Sequence, residues 1–257
     1  MTLVEYSVKD RIGYITLNRP EKRNALSPAI VSGLKELFKK AEADDAVKVI
    51  VLKANGEAFC AGADLAYLQQ LQKFSFEENL ADSQHLKELY HLIYTLRKVV
   101  IAQVHGPALA GGCGLVTVCD FVFATPEAKF GYTEVKIGFV AALVMSFLLR
   151  KVGEARTRDL LLTGRLLGAE EALQMGLVNK VVDKLTLEKE VNDFAAQIIT
   201  NASSQSLALT KKMIAEVQHF TLEEALDHAA RQNAKARSTE DCIKGIDAFL
   251  KKQPLKW

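Results

Sequence analysis

Two short runs of small residues, Ala61-Gly62-Ala63 and Ala110-Gly111-Gly112, each follow an apolar stretch with the character of a buried strand. With no bulky side chain in the way, backbone N–H groups in such a loop can approach a bound molecule closely. The second run leads straight into a helical pattern through Cys113, Leu115, Val116 and Val118. Its amides therefore sit at the positive end of a helix dipole, which favours negative charge. Two such amides converging on one oxygen would form an oxyanion hole. Glycine loops also serve plain backbone turns, and the residues alone leave both readings open.

A proton-transfer group is the natural companion of such a hole. Glu134 follows Gly131-Tyr132-Thr133 and is flanked by Val135, Ile137 and Phe139, a setting in which partial burial would raise its pKa. His85 and His91 are six apart on an expected helix, not at the i, i+4 spacing of a metal pair. His105 and Asp120 read as structural hydrogen-bonding groups, and Asp64 as a helix cap or a partner of loop amides. Cys60, Cys113, Cys119 and Cys242 form no Cys-x-x-Cys pair, which argues against structural zinc. There is no Gly-x-Ser-x-Gly elbow and no Walker-type loop.

The elements that must position these residues alternate along the chain. Short β-type runs, Val4 to Lys9 and Ile12 to Leu17, predict a hairpin around Asp10-Arg11. Ser27-Pro28 starts a helix to about Ala43, with Ser27 as N-cap. Strands are expected at Val47 to Lys53, Val99 to Val104, Asp120 to Ala124 and Lys129 to Gly131. Between the first small-residue loop and a helix from about Ser83 to Lys98 lies a polar stretch expected to be a mobile surface segment. A helix is expected from Val140 to Val152. From about Val191 the pattern is wholly helical, near Ser203 to Gln218, Leu222 to Ala236 and Glu240 to Leu250. The expected division is an α/β core over residues 1–195 and a helical region over 196–257.

Composition narrows the classes without choosing among them. The 257 residues carry 33 Lys+Arg against 31 Asp+Glu, a formal charge of +2, too balanced for a nucleic-acid surface. An apolar share of 49% and a charged share of 25% are those of a soluble globular protein. No run reaches the roughly 20 apolar residues needed to span a bilayer, and the first ten residues lack a secretory signal pattern. The cysteines read as reduced thiols, and the expected compartment is the cytoplasm.

Several of these pieces, in this order, resemble the crotonase superfamily of enoyl-coenzyme A hydratases and isomerases, and the resemblance covers nearly the whole chain. Its carriers are Leu17-Asn18-Arg19-Pro20 with Asn24-Ala25-Leu26, Phe59 to Leu65, Gly106 to Cys113, Cys119-Asp120, Phe130 to Glu134, and Ser238 to Asp241 followed by Ala248-Phe249-Leu250. The resemblance implies an α/β spiral of repeated ββα units with a C-terminal helical region that packs trimers, often paired as hexamers. It implies that the amides of Ala63 and Gly111 bind the thioester oxygen of an acyl-coenzyme A. It places the coenzyme A adenine and phosphates near Lys22, Arg23, Ala25, Leu26, Ala61, Asp64 and Leu65. Phe249 and Lys252 would reach coenzyme A bound in a neighbouring subunit. A solvated basic loop is the lesser alternative for Lys22 and Arg23, whereas Phe249, at helical spacing with Ile246, reads equally as core. No metal and no cofactor beyond the coenzyme A of the substrate is implied.

One departure limits the analogy. The best-known hydratases carry a glutamate just after the glycine loop and a second after the short strand near Phe130; here the first position is Gly114 and the second is Glu134. Single-glutamate relatives include isomerases that shuttle one proton and hydratases of branched or carboxylated substrates. The run Val135 to Ala142 looks more like branched-chain hydratases of the 3-methylglutaconyl type. The expected activity is hydration of an enoyl thioester, with double-bond isomerisation as the alternative. A non-catalytic acyl thioester binder or an RNA-binding relative is the alternative from another class.

Overall fold

The computed structural model describes residues 2–257, apart from the side chain of Leu65. Strands Val4–Lys9 (β1) and Ile12–Leu17 (β2) form an antiparallel hairpin in which Val4 faces Leu17 and Lys9 faces Ile12. Asp10 and Arg11 both have positive φ, 52° and 64°, the left-handed pair that matches the twist of a two-residue hairpin. Helix Pro28–Ala43 (α1) starts where the sequence predicts, with the Ser27 hydroxyl accepting from the Ile30 amide and proline in the first turn. Strand Val49–Ala54 (β3) then pairs parallel with β2.

The polar stretch that follows is helical. It forms Leu65–Leu71 (α2) and Phe76–Thr95 (α3), and α3 begins seven residues ahead of the predicted start. The reason is a capping box: the Ser75 side chain accepts from the Glu78 amide, and the Glu78 carboxylate accepts from the Ser75 amide. Strand Val99–Val104 (β4) joins β3 in parallel, and the short Ala108–Leu109 (β5) leads into Gly111–Val118 (α4). Phe121–Ala124 (β6) and Lys129–Gly131 (β7) fall as expected.

Ala142–Val152 (α5), Glu154–Thr163 (α6), Leu167–Gly168 (β8), Ala169–Met175 (α7) and Lys180–Val181 (β9) come next. Four helices close the chain: Leu187–Asn201 (α8), Ser204–Glu216 (α9), Leu222–Ala236 (α10) and Glu240–Leu250 (α11). The larger sheet has the order β1-β2-β3-β4-β6-β9 and the smaller one β5-β7-β8.

Side chains alternate across the large sheet with the two-residue period of a strand. Ile15, Leu17, Ile50, Leu52, Val100 and Ala102 point into the main core under α1, α3 and α4. Ile12, Tyr14, Val49, Val51, Val99 and Ile101 point the other way, onto Leu187, Val191, Ala195 and Ile199 of α8. Residue 195 thus lies inside a helix that roofs the sheet, and three further helices follow it. Lys211 of α9 is buried and ties the helical region to the core, reaching Asp120 at 2.6 Å and the carbonyls of Ile93 and Lys98. Asp120 also accepts from the Val100 amide, the structural part expected of it.

Cys60, Cys113 and Cys119 are buried, and burial pushes each thiol up to about 12. Among the described residues no helix is long and apolar enough to cross a membrane, and no group of three metal-ligating side chains is present.

Candidate active site

The two small-residue loops lie side by side. Cys60 and Ala108 form a parallel bridge, with the Cys60 amide donating to Pro107 and the Leu109 amide to the Cys60 carbonyl at 2.9 Å. Extended by three residues, the offset of that bridge would set Ala63 opposite Gly111. The loops touch farther along, since a Cβ built on Gly62 would lie 3.0 Å from the Ala110 Cβ, and Gly62 itself has φ +94°. On its outer side the first loop pairs with the basic segment. Leu26 donates to the Gly62 carbonyl and accepts from the Asp64 amide. In a parallel bridge those two bonds belong to the neighbours of Ala63, so the Ala63 N–H points away from Leu26. Among the described residues, neither the Ala63 nor the Gly111 N–H donates to the backbone. Ala63 is exposed and Gly111 half-buried, so both border open space.

The turn that presents Gly111 is strained. Ala110 has φ 48° and ψ −124°, a region that residues bearing a Cβ avoid at a cost of about 1–3 kcal/mol. It is held by its own amide, which donates to Gly131 at 2.8 Å, and by its carbonyl, which accepts from the Gly114 amide at 3.0 Å.

Glu134 opens a short 3-10 turn over Glu134–Ile137. Burial raises its pKa, and a bond to its own amide offsets part of the rise. Its Oε2 atom is buried without a hydrogen-bond partner among the described residues, a state that costs roughly 1–3 kcal/mol unless a function uses it. The flanking side chains are not what buries it, contrary to the sequence expectation: Val135, Ile137 and Phe139 are 44%, 69% and 59% exposed. Burial comes from the inward side, where the charge of Glu134 is felt by Tyr90 and Cys113.

Tyr90 is the site residue that sequence reasoning missed. It lies on α3, is 1% exposed, and donates from its hydroxyl to the Gly111 carbonyl at 2.8 Å. Burial, then the nearby Cys60, Glu134 and Cys113, hold its pKa well above the usual phenol range, so it stays a neutral donor. A Cβ built on Gly114 would meet the Tyr90 hydroxyl at 2.4 Å and its ring at 2.7 Å. The space a glutamate at 114 would need is therefore filled by Tyr90. No sequence signal marked it, because its spacing with Leu89 and Ile93 is that of a core aromatic.

The remaining expected residues divide. Lys22 and Arg23 are exposed beside the first loop, and the Arg23 carbonyl accepts from the Ala61 amide at 3.0 Å. Ala25 and Leu26 are buried, which leaves their backbone, not their side chains, for a ligand. Asp64 is a scaffold: one carboxylate oxygen accepts from the Ala66 and Tyr67 amides and the other from Arg19 at 2.7 Å. Burial pulls its pKa up, but the Tyr67 amide, Arg19 and the Ala66 amide outweigh this and hold it below the ordinary range. The backbone of Leu65 opens α2, while its side chain lies outside the described residues.

Phe249 is 82% exposed and Lys252 is exposed near the end of α11, which packs on α9. Phe249 is therefore not core within one chain. His105 is structural, its ring sharing a 2.8 Å hydrogen bond with the Gly56 carbonyl.

Comparison with known proteins agrees with this architecture. The enoyl-CoA hydratase/isomerase family profile matches residues 7–257. A Thermus thermophilus protein with a provisional enoyl-CoA hydratase assignment is 45% identical over 96% of this chain and 97% of its own length. The crotonyl-CoA hydratase of Syntrophomonas wolfei is 33% identical over 95% of this chain and 94% of its own. The crystal structure of an enoyl-CoA hydratase from Mycobacterium smegmatis superposes with a TM-score of 0.93 at 32% identity, covering 99% of this chain and 98% of that one. The chain belongs to the enoyl-CoA hydratase/isomerase family and is an enzyme with the crotonase fold.

Proposed function

We propose that the protein hydrates an α,β-unsaturated acyl-coenzyme A, with the Ala63 and Gly111 amides as the oxyanion hole and Glu134 as the single proton-handling group. The reading is supported by two adjoining small-residue loops whose Ala63 and Gly111 amides have no backbone acceptor, and by a buried Glu134 carboxylate oxygen without a partner, among the described residues. The Glu134 carboxylate takes a proton from water as the oxygen adds to the β carbon. The electron pair of the double bond moves onto the thioester oxygen, where the two amides stabilise the enolate. The carboxylic acid so formed delivers its proton to the α carbon and returns to carboxylate, so one water is added and nothing else changes.

Lys22 and Arg23 supply local positive charge for the coenzyme A phosphates. The exposed apolar side chains of α10 and α11, among them Leu222, Leu226, Ile243, Ile246 and Phe249, suit burial against further copies in a trimer or a dimer of trimers. Phe249 and Lys252 would then serve a neighbouring site. Four free cysteines fit a reducing compartment such as the cytoplasm.

A second reading, isomerisation of a 3-enoyl to a 2-enoyl thioester, is favoured by the lack of a second carboxylate at Gly114. A panel of straight, branched and carboxylated 2-enoyl thioesters and a 3-enoyl thioester, followed by absorbance of the conjugated thioester, separates the two. Loss of conjugation supports hydration and its appearance supports isomerisation. Coenzyme A binding by calorimetry with turnover of none of them would overturn both.

A further inference from the structure

We propose that Lys151 supports the oxyanion hole electrostatically: its ammonium caps the C-terminal end of α4 and leaves the positive N-terminal end of that helix unopposed at the thioester oxygen. The inference rests on the reading of Gly111 as an oxyanion donor.

α4 spans Gly111–Val118, so the Gly111 amide is the first of the helix, and the C-terminal carbonyls point away from it. A helix carries about half a positive charge at its N-terminal end and about half a negative charge at the other. Eight residues set those ends only about 12 Å apart. The negative end therefore cancels part of the attraction that the positive end exerts on an enolate. Lys151, in the last turn of α5, meets that negative end: its Nζ donates to the Cys119 carbonyl at 2.7 Å and to the Thr117 carbonyl at 3.1 Å.

The surroundings leave this charge uncancelled. Asp120 is near, but it is already paired with Lys211 at 2.6 Å, so the three groups together carry one net positive charge when Lys151 is protonated. Cys113 and Cys119 face the same cluster as neutral thiols: burial pushes each up to about 12, and Lys151 pulls both the other way. Cys113 lies two residues from Gly111, so the field of Lys151 runs most of the way along α4. Burial lowers the pKa of Lys151 itself, and Cys119 and Asp120 oppose that fall.

From Nζ to the thioester oxygen is about 15 Å, the length of α4 plus one hydrogen bond. At an effective dielectric of about 20, a unit charge at that distance stabilises an enolate roughly sixfold, or about 0.8 of a pKa unit. The neutral thioester of the bound substrate feels almost nothing, so the effect falls on kcat and not on KM. Lys151 touches no reacting atom and acts through α4.

The test uses the full-length protein and two readouts. One is crotonyl-CoA turnover. The other is a pH titration of bound acetoacetyl-CoA, a 3-oxo thioester whose enolate absorbs in the near ultraviolet, in a Glu134→Gln background that removes the carboxylate of the site from the titration. Lys151→Met keeps an apolar stem and deletes the charge; Lys151→Gln deletes the charge but keeps an N–H donor; Lys151→Arg keeps both. Lys151→Met and Lys151→Gln should each lower kcat roughly sixfold, with KM within about twofold, and raise the pKa of the bound ligand by about 0.8 unit. Lys151→Arg should stay near wild type.

A ligand pKa unchanged in Lys151→Met overturns the proposal. So does a Lys151→Gln protein that matches wild type, since the hydrogen bond and not the charge would then matter; that variant also decides the case should Lys151→Met fail to fold. A ligand pKa raised as expected, in a protein that turns over no enoyl thioester, sinks the hydratase reading and leaves the role of Lys151 standing. If, with Lys151 in place, the bound ligand ionises no more readily than it does free in solution, the oxyanion reading falls and this inference falls with it.

Discussion

Gly114→Ala adds a single methyl group at the one helical position where Tyr90 leaves no room. The new Cβ would sit 2.4 Å from the Tyr90 hydroxyl and 2.7 Å from its ring, where ordinary contact needs about a further ångström. Tyr90 cannot yield by swinging its tip, because the ring is buried and the hydroxyl is bonded to Gly111. Overpacking of this kind costs about 1–3 kcal/mol, and loss of the hydrogen bond adds about 1 kcal/mol. The better helix propensity of alanine returns about 1 kcal/mol. The balance is a destabilisation of about 1–3 kcal/mol, a drop in Tm of roughly 3 to 10 °C for a chain of this size.

Thermal unfolding followed by far-UV circular dichroism reads the stability, and crotonyl-CoA turnover reads the proposed oxyanion hole. Tyr90→Phe in the same background should relieve part of the penalty, since it deletes the nearer of the two clashing atoms. A Gly114→Ala protein with unchanged Tm and unchanged turnover would refute the reasoning, because Tyr90 would then be free to move aside without loss.

Other perturbations read different parts of the site. Glu134→Gln should lower kcat by roughly 10²–10⁴-fold with coenzyme A binding preserved, checked by steady-state kinetics and calorimetry. The raised pKa of Glu134 places the acidic limb of kcat/KM above the usual glutamate range, with activity lost as pH falls through that limb. The same shift disfavours the folded protein once Glu134 ionises. Its stabilising share is complete below the unfolded pKa and is lost as pH rises through the folded one. Glu134→Gln should therefore raise Tm at neutral pH and lose that advantage in acid, as a pH series of melts would show.

Ala110→Gly should stabilise by up to about 2 kcal/mol, the relieved strain less the extra freedom of the unfolded glycine, measured by urea titration. Lys211→Ala removes the buried member of a part-buried ion pair and should destabilise in the same titration, by less than the about 3–5 kcal/mol of a fully buried pair.

Where local chemistry is decisive, the fold can be read from the residues. Ser27-Pro28 starts α1, the apolar run Val99 to Val104 is β4, and the small-residue loops do flank one another. The start of α3 was also written in Ser75 and Glu78, but a polar surface helix lacks the apolar stripe that would draw attention to that cap. The two-residue strands β8 and β9 carry no periodicity at all, since two residues cannot show a period.

At the site, Glu134 stands out by position, yet the side that buries it is set by tertiary packing and not by its neighbours in sequence. Tyr90 and the strain at Ala110 were invisible for a related reason. An aromatic at core spacing looks like any other, and alanine gives no hint of an unusual backbone angle.

The burial of three thiols gives the chain a built-in reporter. Cys60, Cys113 and Cys119 stay protonated and shielded in the folded protein, whereas Cys242 on α11 is partly open to solvent. A maleimide fluorophore applied under native conditions would mark the C-terminal helices at one point and spare the two small-residue loops. The later, slower uptake of further label would time the opening of the β-sheet core.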